Sequence, residues 1–358
     1  MEENEKNIKI KHPILISFII MIIFFVIIDL FLGLLLLKRD KLRIDHSYYH
    51  HDLQPLMVED ANWGDLEYTI KTNSLGFKDE AMRKIPLKSE KERILIIGDS
   101  FTEGLGYDYE TTFCGLLQNK LGDKLEIFNA GVTSYSPKLY YLKIKYLLEM
   151  GLKFDHMIVM LDISDIQDES IYESFQPKKD QSTFRKIDVK LSNYSFSYHH
   201  IFRNLLKKIA SNQNNKSKFS DAETFLETSI EDRGKWTYDK KVFEEWGKDG
   251  LELATKNLLN LSDLCKENSI DMTLAVYPWP EQITQNDSLS IQSTYWNEFC
   301  ITNKIDFLDL FPYFFQTENA DDVVRKYFIA GDDHWNDQGH LLIAEKLYEK
   351  IIGSKISE

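Results

Sequence analysis

The strongest pattern in the chain is an apolar run near its N-terminus. Residues 13–37 contain a single charged side chain, Asp29, in a stretch of 25 positions. A helix of about 20 residues spans the hydrocarbon core of a bilayer, so the run predicts a transmembrane helix. Charged residues follow it directly, without the small-residue site at which a signal peptide is cleaved. We therefore expect an uncleaved anchor within residues 1–37.

A second pattern begins at residue 93, where short apolar runs alternate with helical stretches. The runs are interpreted as buried strands at 94–98, 125–131, 156–162, 271–277 and 305–310. The helical stretches lie at about 111–121, 137–150, 251–268, 288–303 and 336–352. Strands that alternate with helices predict a parallel sheet covered on both faces. Right-handed crossovers then place the carboxyl ends of the strands on one edge, where α/β sheets bind ligands.

These patterns divide the chain into three parts. The tail and anchor occupy residues 1–37, a polar lead-in that packs on the catalytic domain occupies 38–92, and the α/β domain occupies 93–352. A polar stretch at 165–250 interrupts the alternation, and we interpret it as an insertion or cap. Such an insertion suits either a lid that selects substrate or a surface that binds a partner.

Composition and charge exclude some classes of protein. Of the 358 residues, 43% are hydrophobic and 28% are charged, as in ordinary globular proteins. The net charge of −14 argues against nonspecific binding of nucleic acid, which needs a basic surface. The three cysteines, Cys114, Cys265 and Cys300, are too widely spaced for a zinc or redox motif, so we expect buried small hydrophobic side chains.

The first candidate for chemistry is Ser100, in the sequence GDSFTEG at 98–104. It follows an apolar strand and lies in the turn that leads to a helix. Acyl transfer needs a nucleophile exposed on a rigid turn, with backbone N–H groups aimed at the developing oxyanion. The alternative is that Asp99 and Ser100 only cap a helix.

The second candidate is the sequence GDDHWNDQGH at 331–340, which precedes the last helix. Asp332 and His334 are two residues apart, so a short loop can hold the carboxylate against the imidazole. A neutral histidine can then take a proton from Ser100, while the carboxylate fixes its tautomer. Metal ligation would need further His or Asp ligands at suitable spacings, which we do not find, so no metal is expected.

The third candidate is Gly131, which ends the second predicted strand in NAGVTSYSP at 129–137. Its backbone N–H is placed to donate to an oxyanion at the same edge of the sheet. A glycine at this point is equally explained by a steric need for a tight turn.

Together these motifs resemble blocks I, II and V of the SGNH/GDSL hydrolase superfamily. The resemblance covers residues 93–352 without the insertion, and it implies a three-layer flavodoxin-like fold with about five parallel strands. It also implies a serine nucleophile that works without a cofactor. By position, the family's roles fall on Ser100 as nucleophile and His334 as base, with Asp332 as the acid.

The chain departs from the family pattern at two positions. The family's third block usually carries an asparagine that donates to the oxyanion, but here the segment is LDISDIQD and Ser164 takes that place. The predicted oxyanion donors are therefore Ser100, Gly131 and Ser164. The family often has D-x-x-H, but the residue three before His334 is Gly331. We expect Asp332 to be the acid, because the side chain of its neighbour Asp333 should diverge.

The combination of TNSLGF, GDSFTEGLGYDYETTF, NAGV and DHWN followed by GH looks most like bacterial membrane-anchored members. Some relatives of that type are carbohydrate O-acetyltransferases. The resemblance implies an esterase or acyltransferase for an O-acyl ester, acetyl above all, of a cell-envelope carbohydrate. It implies a single-pass membrane protein with an extracytoplasmic catalytic domain, and a membrane-bound partner in acyl transfer. Basic residues flank the span on both sides, so charge alone does not orient it.

Three further residues are candidates for contact with substrate. Asp99 precedes the nucleophile, Trp279 follows the fourth strand, and Trp335 follows His334. A tryptophan ring at that edge suits stacking on a sugar, although packing within the protein explains both tryptophans equally well. The alternative from another class is a noncatalytic scaffold that binds a polysaccharide or an assembly partner, in which the missing asparagine marks lost catalysis.

Overall fold

A computed structural model describes residues 12–37, 42–177, 187, 191–192, 194–202, 233–315 and 319–356. The chain divides into two compact units. The first comprises residues 1–40 and 180–220, and the second comprises 41–179 and 221–358. Much of the predicted insertion at 165–250 lies outside the described residues.

The second unit is built on a five-stranded parallel sheet, as the sequence predicts. Its strands are β5 (Glu92–Gly98), β6 (Leu125–Asn129), β7 (His156–Leu161), β8 (Asp271–Val276) and β9 (Asp306–Asp309). Their order in the sheet is β6-β5-β7-β8-β9, and every adjacent pair is parallel. Numbered by their order in the chain, this is the 2-1-3-4-5 order of flavodoxin-like folds.

Helices cover the sheet and close the second unit. They are α2 (Ser100–Glu103), α3 (Phe113–Leu121), α4 (Pro137–Glu149), α5 (Asp165–Tyr172), α6 (Lys248–Glu267), α7 (Pro280–Thr284), α8 (Ile291–Asn303), α9 (Ala320–Tyr327) and α10 (Asp337–Ile356). The central strands are almost entirely buried, which explains their unbroken apolar runs. The three cysteines are buried and unpaired, as predicted.

The lead-in forms two hairpins within the second unit. One pairs β1 (Arg43–His46) with β2 (His50–Leu53), and the other pairs β3 (Val58–Trp63) with β4 (Leu66–Lys71). A two-residue turn links the second pair, and its Gly64 has φ 57°, a conformation that glycine adopts readily. Of these four strands, the sequence predicts only the last, from the strand-like run DLEYTIKTN at 65–73.

The first unit contains α1 (Pro13–Leu36). The stretch Ile14–Leu36 has a mean hydropathy of 3.1 and is long and apolar enough to cross a membrane. A signal sequence passes the same test, so the helix by itself supports an anchor only weakly.

Candidate active site

The candidate site lies at the carboxyl edge of the sheet. Ser100 follows β5, and the loop after β7 carries Asp162 and Ser164. From β5 the chain continues to β6 on one side of β5, and from β6 it crosses to β7 on the other side. Crevices at such a switch point are where open α/β sheets bind ligands.

Ser100 is the first residue of α2, and Asp99 caps that helix. Asp99 Oδ1 accepts a hydrogen bond of 3.0 Å from the backbone N–H of Phe101. The cap that the sequence offered as an alternative to catalysis is therefore present, and it holds the turn that presents Ser100. Capping does not exclude a catalytic role, because the cap uses Asp99 Oδ1, while the half-buried Ser100 hydroxyl lies 2.8 Å from His334 Nε2 and 3.3 Å from Asp99 Oδ2.

The structure brings Ser100, His334 and Asp332 together over more than two hundred residues of chain. His334 Nε2 lies 2.8 Å from Ser100 Oγ. His334 Nδ1 lies 2.5 Å from Asp332 Oδ1, which also accepts the backbone N–H of His334 at 2.8 Å. Phe101 stacks on the imidazole with ring centroids 4.7 Å apart and restricts its rotation. This linear order of hydroxyl, imidazole and carboxylate is the arrangement that activates a serine.

Trp63 is a neighbour of this triad that the sequence analysis missed. It lies at the end of β3, and its indole Nε1 donates to Asp332 Oδ2 at 2.9 Å. Its ring also meets the edge of His334, with centroids 5.1 Å apart. Burial alone would raise the pKa of Asp332, but the hydrogen bonds from His334 and Trp63 bring it below the ordinary value. The carboxylate therefore stays charged beside the imidazole.

Asp333 has no such contact with the imidazole ring among the hydrogen bonds of the described residues. Burial raises its pKa above the ordinary value. Asp332, and not Asp333, is thus the carboxylate within hydrogen-bonding distance of His334 Nδ1.

The three predicted oxyanion donors differ in their surroundings. Among the described residues, none accepts a hydrogen bond from the backbone N–H of Ser100. The N–H of Gly131 donates to Asn129 Oδ1 at 3.1 Å, and the Ser164 hydroxyl donates to Asp162 Oδ1 at 2.6 Å. A side chain at Gly131 would place its Cβ 2.6 Å from Thr102 Cβ, so the steric reason for this glycine is real.

Three buried carboxylates, Asp99, Asp162 and Asp165, form a cluster that includes the residue before Ser100. One oxygen of each falls within 4.8 Å of the others, close enough for a shared cation. Each nevertheless accepts a hydrogen bond from the protein, namely from Phe101 N, the Ser164 hydroxyl and the Tyr140 hydroxyl respectively. Burial, followed by the neighbouring carboxylates, raises the pKa of Asp99 and Asp165 well above the ordinary value. The raised pKa values favour the protonated forms of Asp99 and Asp165.

The predicted substrate contacts at Trp279 and Trp335 do not face solvent. Trp279 is 6% exposed and donates through Nε1 to Asp162 Oδ2 at 2.6 Å. Trp335 is 1% exposed and packs against Phe101 and Tyr277. Asp99 is also buried, at 3% exposure. In these positions the three side chains shape the floor of the site, and a sugar ring has no access to either indole.

Two basic residues of the lead-in, the partly buried Arg43 and the buried Lys78, contact α2 and the residues just after it. Glu103, the last residue of α2, receives both Arg43 Nη1 at 3.0 Å and Arg43 Nη2 at 2.8 Å. Burial opposes the charge of Glu103, but Arg43 and the donors of Thr133 outweigh it and lower its pKa to about 2. Lys78 Nζ, also buried, donates to the carbonyls of Gly104 at 2.8 Å and Tyr107 at 2.5 Å, just beyond α2.

Comparisons with known proteins give likenesses of structure alone. No family model matches the chain, and neither does any curated protein sequence. A member of the lipolytic G-D-S-L family from Veillonella parvula is 14% identical, with a TM-score of 0.41 over 72% of this chain and 97% of that one. A psychrotrophic esterase from Pseudoalteromonas sp. is 12% identical, with a TM-score of 0.38 over 75% and 100%.

A carbohydrate acetylesterase from Sinorhizobium meliloti is also similar. It is 13% identical, with a TM-score of 0.37 over 74% of this chain and 99% of that one. With all three TM-scores below 0.5, neither activity nor substrate is inferred from the likeness. The solved structures that resemble this chain thus include GDSL-type lipolytic and esterase proteins, the superfamily that its motifs also resemble.

Proposed function

We propose that the chain is a serine hydrolase of the SGNH type that cleaves or transfers an O-acyl group. The observation that carries this proposal is the continuous contact from Ser100 Oγ to His334 Nε2, at 2.8 Å, and from His334 Nδ1 to Asp332 Oδ1, at 2.5 Å. The contact places the three groups at hydrogen-bonding distance, which is the geometry that transfer of the serine proton to the imidazole requires.

In the first half-reaction Ser100 Oγ attacks the ester carbonyl, and its proton passes to His334 Nε2. The tetrahedral intermediate then collapses, and His334 returns the proton to the leaving alcohol. The acyl group remains as an ester of Ser100. Asp332 stabilises the imidazolium formed between these steps and keeps the tautomer that bears a proton on Nδ1.

In the second half-reaction His334 takes a proton from an acceptor hydroxyl, which attacks the acyl-serine. Water as acceptor gives a carboxylic acid and an esterase, whereas a sugar hydroxyl gives a new ester and a transferase. Ser100 regains its proton from His334 in either case. The same three side chains serve both outcomes, so the acceptor is decided by what enters the crevice.

The oxyanion is stabilised first by the N–H of Ser100 at the start of α2. Gly131 becomes a second donor when substrate draws its N–H away from Asn129 Oδ1, a hydrogen bond between neutral groups of 3.1 Å. Ser164 is a less favourable donor, because its hydroxyl would have to leave a 2.6 Å bond to Asp162. Loss of one such donor costs about 3 kcal/mol in the transition state.

The substrate we propose is an acyl ester, acetyl above all, of a cell-envelope carbohydrate. The motif resemblance supports this class, and the apolar helix α1 gives weak support to an enzyme fixed at a membrane. We place the catalytic unit on the extracytoplasmic side because a cell-envelope carbohydrate lies there. A membrane-bound partner in acyl transfer fits the same setting. The noncatalytic scaffold remains the alternative, favoured by the two expected oxyanion donors that already have acceptors.

The test uses the full-length protein in detergent with p-nitrophenyl acetate and acetylated oligosaccharides. We expect turnover that Ser100→Ala and His334→Ala abolish, and a fall of about 10⁴-fold in kcat for Asp332→Asn, by analogy with the serine-protease aspartate. Asp333→Asn is the matched control, because it removes a neighbouring carboxyl that does not contact the imidazole. Activity lost equally in Asp333→Asn would refute the assignment of Asp332.

A further inference from the structure

The last part of the predicted insertion packs beside the loop that follows β7. Trp236 is fully buried, and its indole Nε1 donates to the carbonyl oxygen of Ile163 at 3.0 Å. A Cβ at Gly234 would lie 3.7 Å from Ile163 Cδ1, in ordinary van der Waals contact. Residues 233–237 are therefore packed against the loop in which Ser164 takes the place of the family's asparagine.

Arg233 begins this stretch, and its side chain is largely buried against α5. It is 15% exposed, and its Nη2 lies 2.7 Å from Oδ1 of Asp168, whose side chain is 1% exposed. Ser164 is the residue that precedes α5, and Asp168 lies one helical turn after it. The ion pair therefore holds the guanidinium beside the same loop.

The guanidinium has an N–H donor that the protein does not use. Among the described residues, none accepts a hydrogen bond from the buried Nε of Arg233. An arginine offers five N–H groups and keeps its positive charge at any ordinary pH. Fixed donors and positive charge in a buried setting are what stabilise a developing oxyanion.

The charge of Arg233 acts on both sides of the triad. Burial is the larger influence on the pKa of Asp99 and of Asp333 and raises both, and Arg233 acts on both in the opposite direction. Asp99 precedes Ser100, and Asp333 precedes His334. A Coulomb interaction weakens with distance, so a cation that acts on both neighbours lies close to the crevice between the serine and the histidine.

The proposed site has few free donors for the oxyanion. Of the three expected ones, the N–H of Gly131 and the hydroxyl of Ser164 already donate to side chains, at 3.1 Å and 2.6 Å. The tetrahedral intermediate carries a full negative charge, which a single backbone N–H stabilises only in part. Arg233 supplies an unused donor and a positive charge at the loop where the family's asparagine is missing.

We propose that Arg233 donates an N–H to the oxyanion and so performs the part that the asparagine has in the family. The inference rests on the proposed acyl transfer and adds a catalytic residue to it. When Ser100 Oγ bonds to the ester carbon, the π electrons of the carbonyl move to its oxygen, and the serine proton passes to His334. Arg233 donates a hydrogen bond to that oxygen and keeps its own proton throughout.

The test compares Arg233→Gln and Arg233→Lys with the natural full-length protein in turnover of p-nitrophenyl acetate. We expect Arg233→Gln to lower kcat by about 10²–10³-fold with KM little changed, because the oxyanion exists only after attack. Arg233→Lys keeps a charge and should recover part of this loss. The matched control is Arg83→Gln, because Arg83 is also partly buried and pairs with Glu126 near the amino end of β6, at the opposite edge of the sheet.

A transition-state analogue separates a catalytic role from a structural one. Benzyl trifluoromethyl ketone adds to a serine as a hemiketal that carries an oxyanion, whereas benzyl methyl ketone binds without adding. We expect Arg233→Gln to weaken inhibition by the trifluoromethyl ketone by the same factor as kcat/KM and to leave inhibition by the methyl ketone unchanged. In Arg83→Gln both inhibition constants should stay as in the natural chain.

An unchanged kcat in Arg233→Gln, or equal weakening of both ketones, would overturn the role of Arg233 and leave the proposed function standing. If Arg233→Gln does not fold, the ratio of the two inhibition constants in Arg233→Lys decides the question in the same way. A natural chain that neither turns over p-nitrophenyl acetate nor binds the trifluoromethyl ketone at Ser100 would refute the proposed function, and the role of Arg233 with it.

Discussion

At the scale of single residues, the orientation of His334 depends on how firmly Asp332 is held. One carboxylate oxygen receives the imidazole and the backbone N–H of His334, and the other receives the indole of Trp63. A carboxylate held on both sides cannot rotate away from Nδ1. We therefore propose that Trp63 is a positioning residue, which would act on the reaction through its hydrogen bond to Asp332.

We expect Trp63→Phe to lower kcat by roughly tenfold. A hydrogen bond to a charged group contributes about 1.5–3 kcal/mol, and a loss of about 1.4 kcal/mol in transition-state stabilisation is enough for a tenfold fall in rate. The pH profile of kcat/KM should shift as well, since the basicity of the imidazole depends on its carboxylate partner. Trp246→Phe is the control, as Trp246 is also half-buried and belongs to the same hydrophobic core. An unchanged profile in Trp63→Phe would assign the indole a packing role alone.

The site was only partly predictable at this scale. Ser100, Asp332 and His334 could be predicted from local motifs. Ser100 directly follows a predicted strand, and the two-residue spacing of Asp332 and His334 lets one loop bring their side chains together. The contact of Trp63 with Asp332 spans 269 residues and leaves no local signal. A local motif can also contain a residue without a place in the site. His340, the second histidine of GDDHWNDQGH, is buried, and its ring accepts a hydrogen bond of 3.2 Å from the N–H of Phe113, so we interpret it as structural.

At the scale of elements, the first hairpin holds the helix that carries the nucleophile. Arg43 in β1 forms a bidentate pair with Glu103 at the end of α2, and Glu103 is fully buried. Removing one partner of a buried pair leaves a charge without compensation, which is more costly than losing an exposed pair.

We expect Arg43→Met to reduce the free energy of unfolding by about 3 kcal/mol, measured by denaturant or heat. Lys71→Met is the matched control, because Lys71 and Glu110 form a pair with side chains 33% and 46% exposed. That change should cost about 1 kcal/mol or less. Equal losses in the two variants would contradict the view that the hairpin braces α2.

Apolar runs predicted the five sheet strands, because strands buried on both faces have an unmistakable continuous pattern. The hairpin strand β3 alternates exposed and half-buried residues in the polar sequence VEDANW, which carries too little apolar signal. Helix α9 was also not predicted, since its eight residues are mostly charged or polar and only Val323 is buried. Such elements are stabilised by tertiary contacts, and their own sequences carry too little hydrophobic periodicity to predict them.

At the scale of the whole molecule, buried acids make stability depend on pH. Glu169 in α5 accepts hydrogen bonds from the Ser136 hydroxyl at 2.9 Å and from Asn257 at 2.7 Å. Burial raises its pKa from 4.5 to about 7 despite these donors. The folded state therefore binds the proton more tightly, and this contribution to stability is complete below pH ~4.5 and lost as the pH rises through ~7.

We expect Glu169→Gln to be more stable than the natural chain at pH 8, by at most on the order of 3 kcal/mol, because the neutral amide avoids the buried charge. The difference should vanish as the pH falls toward 4.5, where Glu169 is protonated. Thermal unfolding across this range measures it, with the exposed Glu252→Gln as control. A difference independent of pH would show that Glu169 does not titrate in the folded state.

The most direct measurement is covalent labelling of the full-length protein with a serine-directed fluorophosphonate, followed by mass spectrometry of the peptides. We expect a single adduct on Ser100, a strongly reduced labelling rate in His334→Ala, and loss of p-nitrophenyl acetate turnover in proportion to the labelled fraction. No adduct at Ser100, or turnover that persists in Ser100→Ala, would contradict the serine mechanism. The first of these outcomes would favour the noncatalytic scaffold.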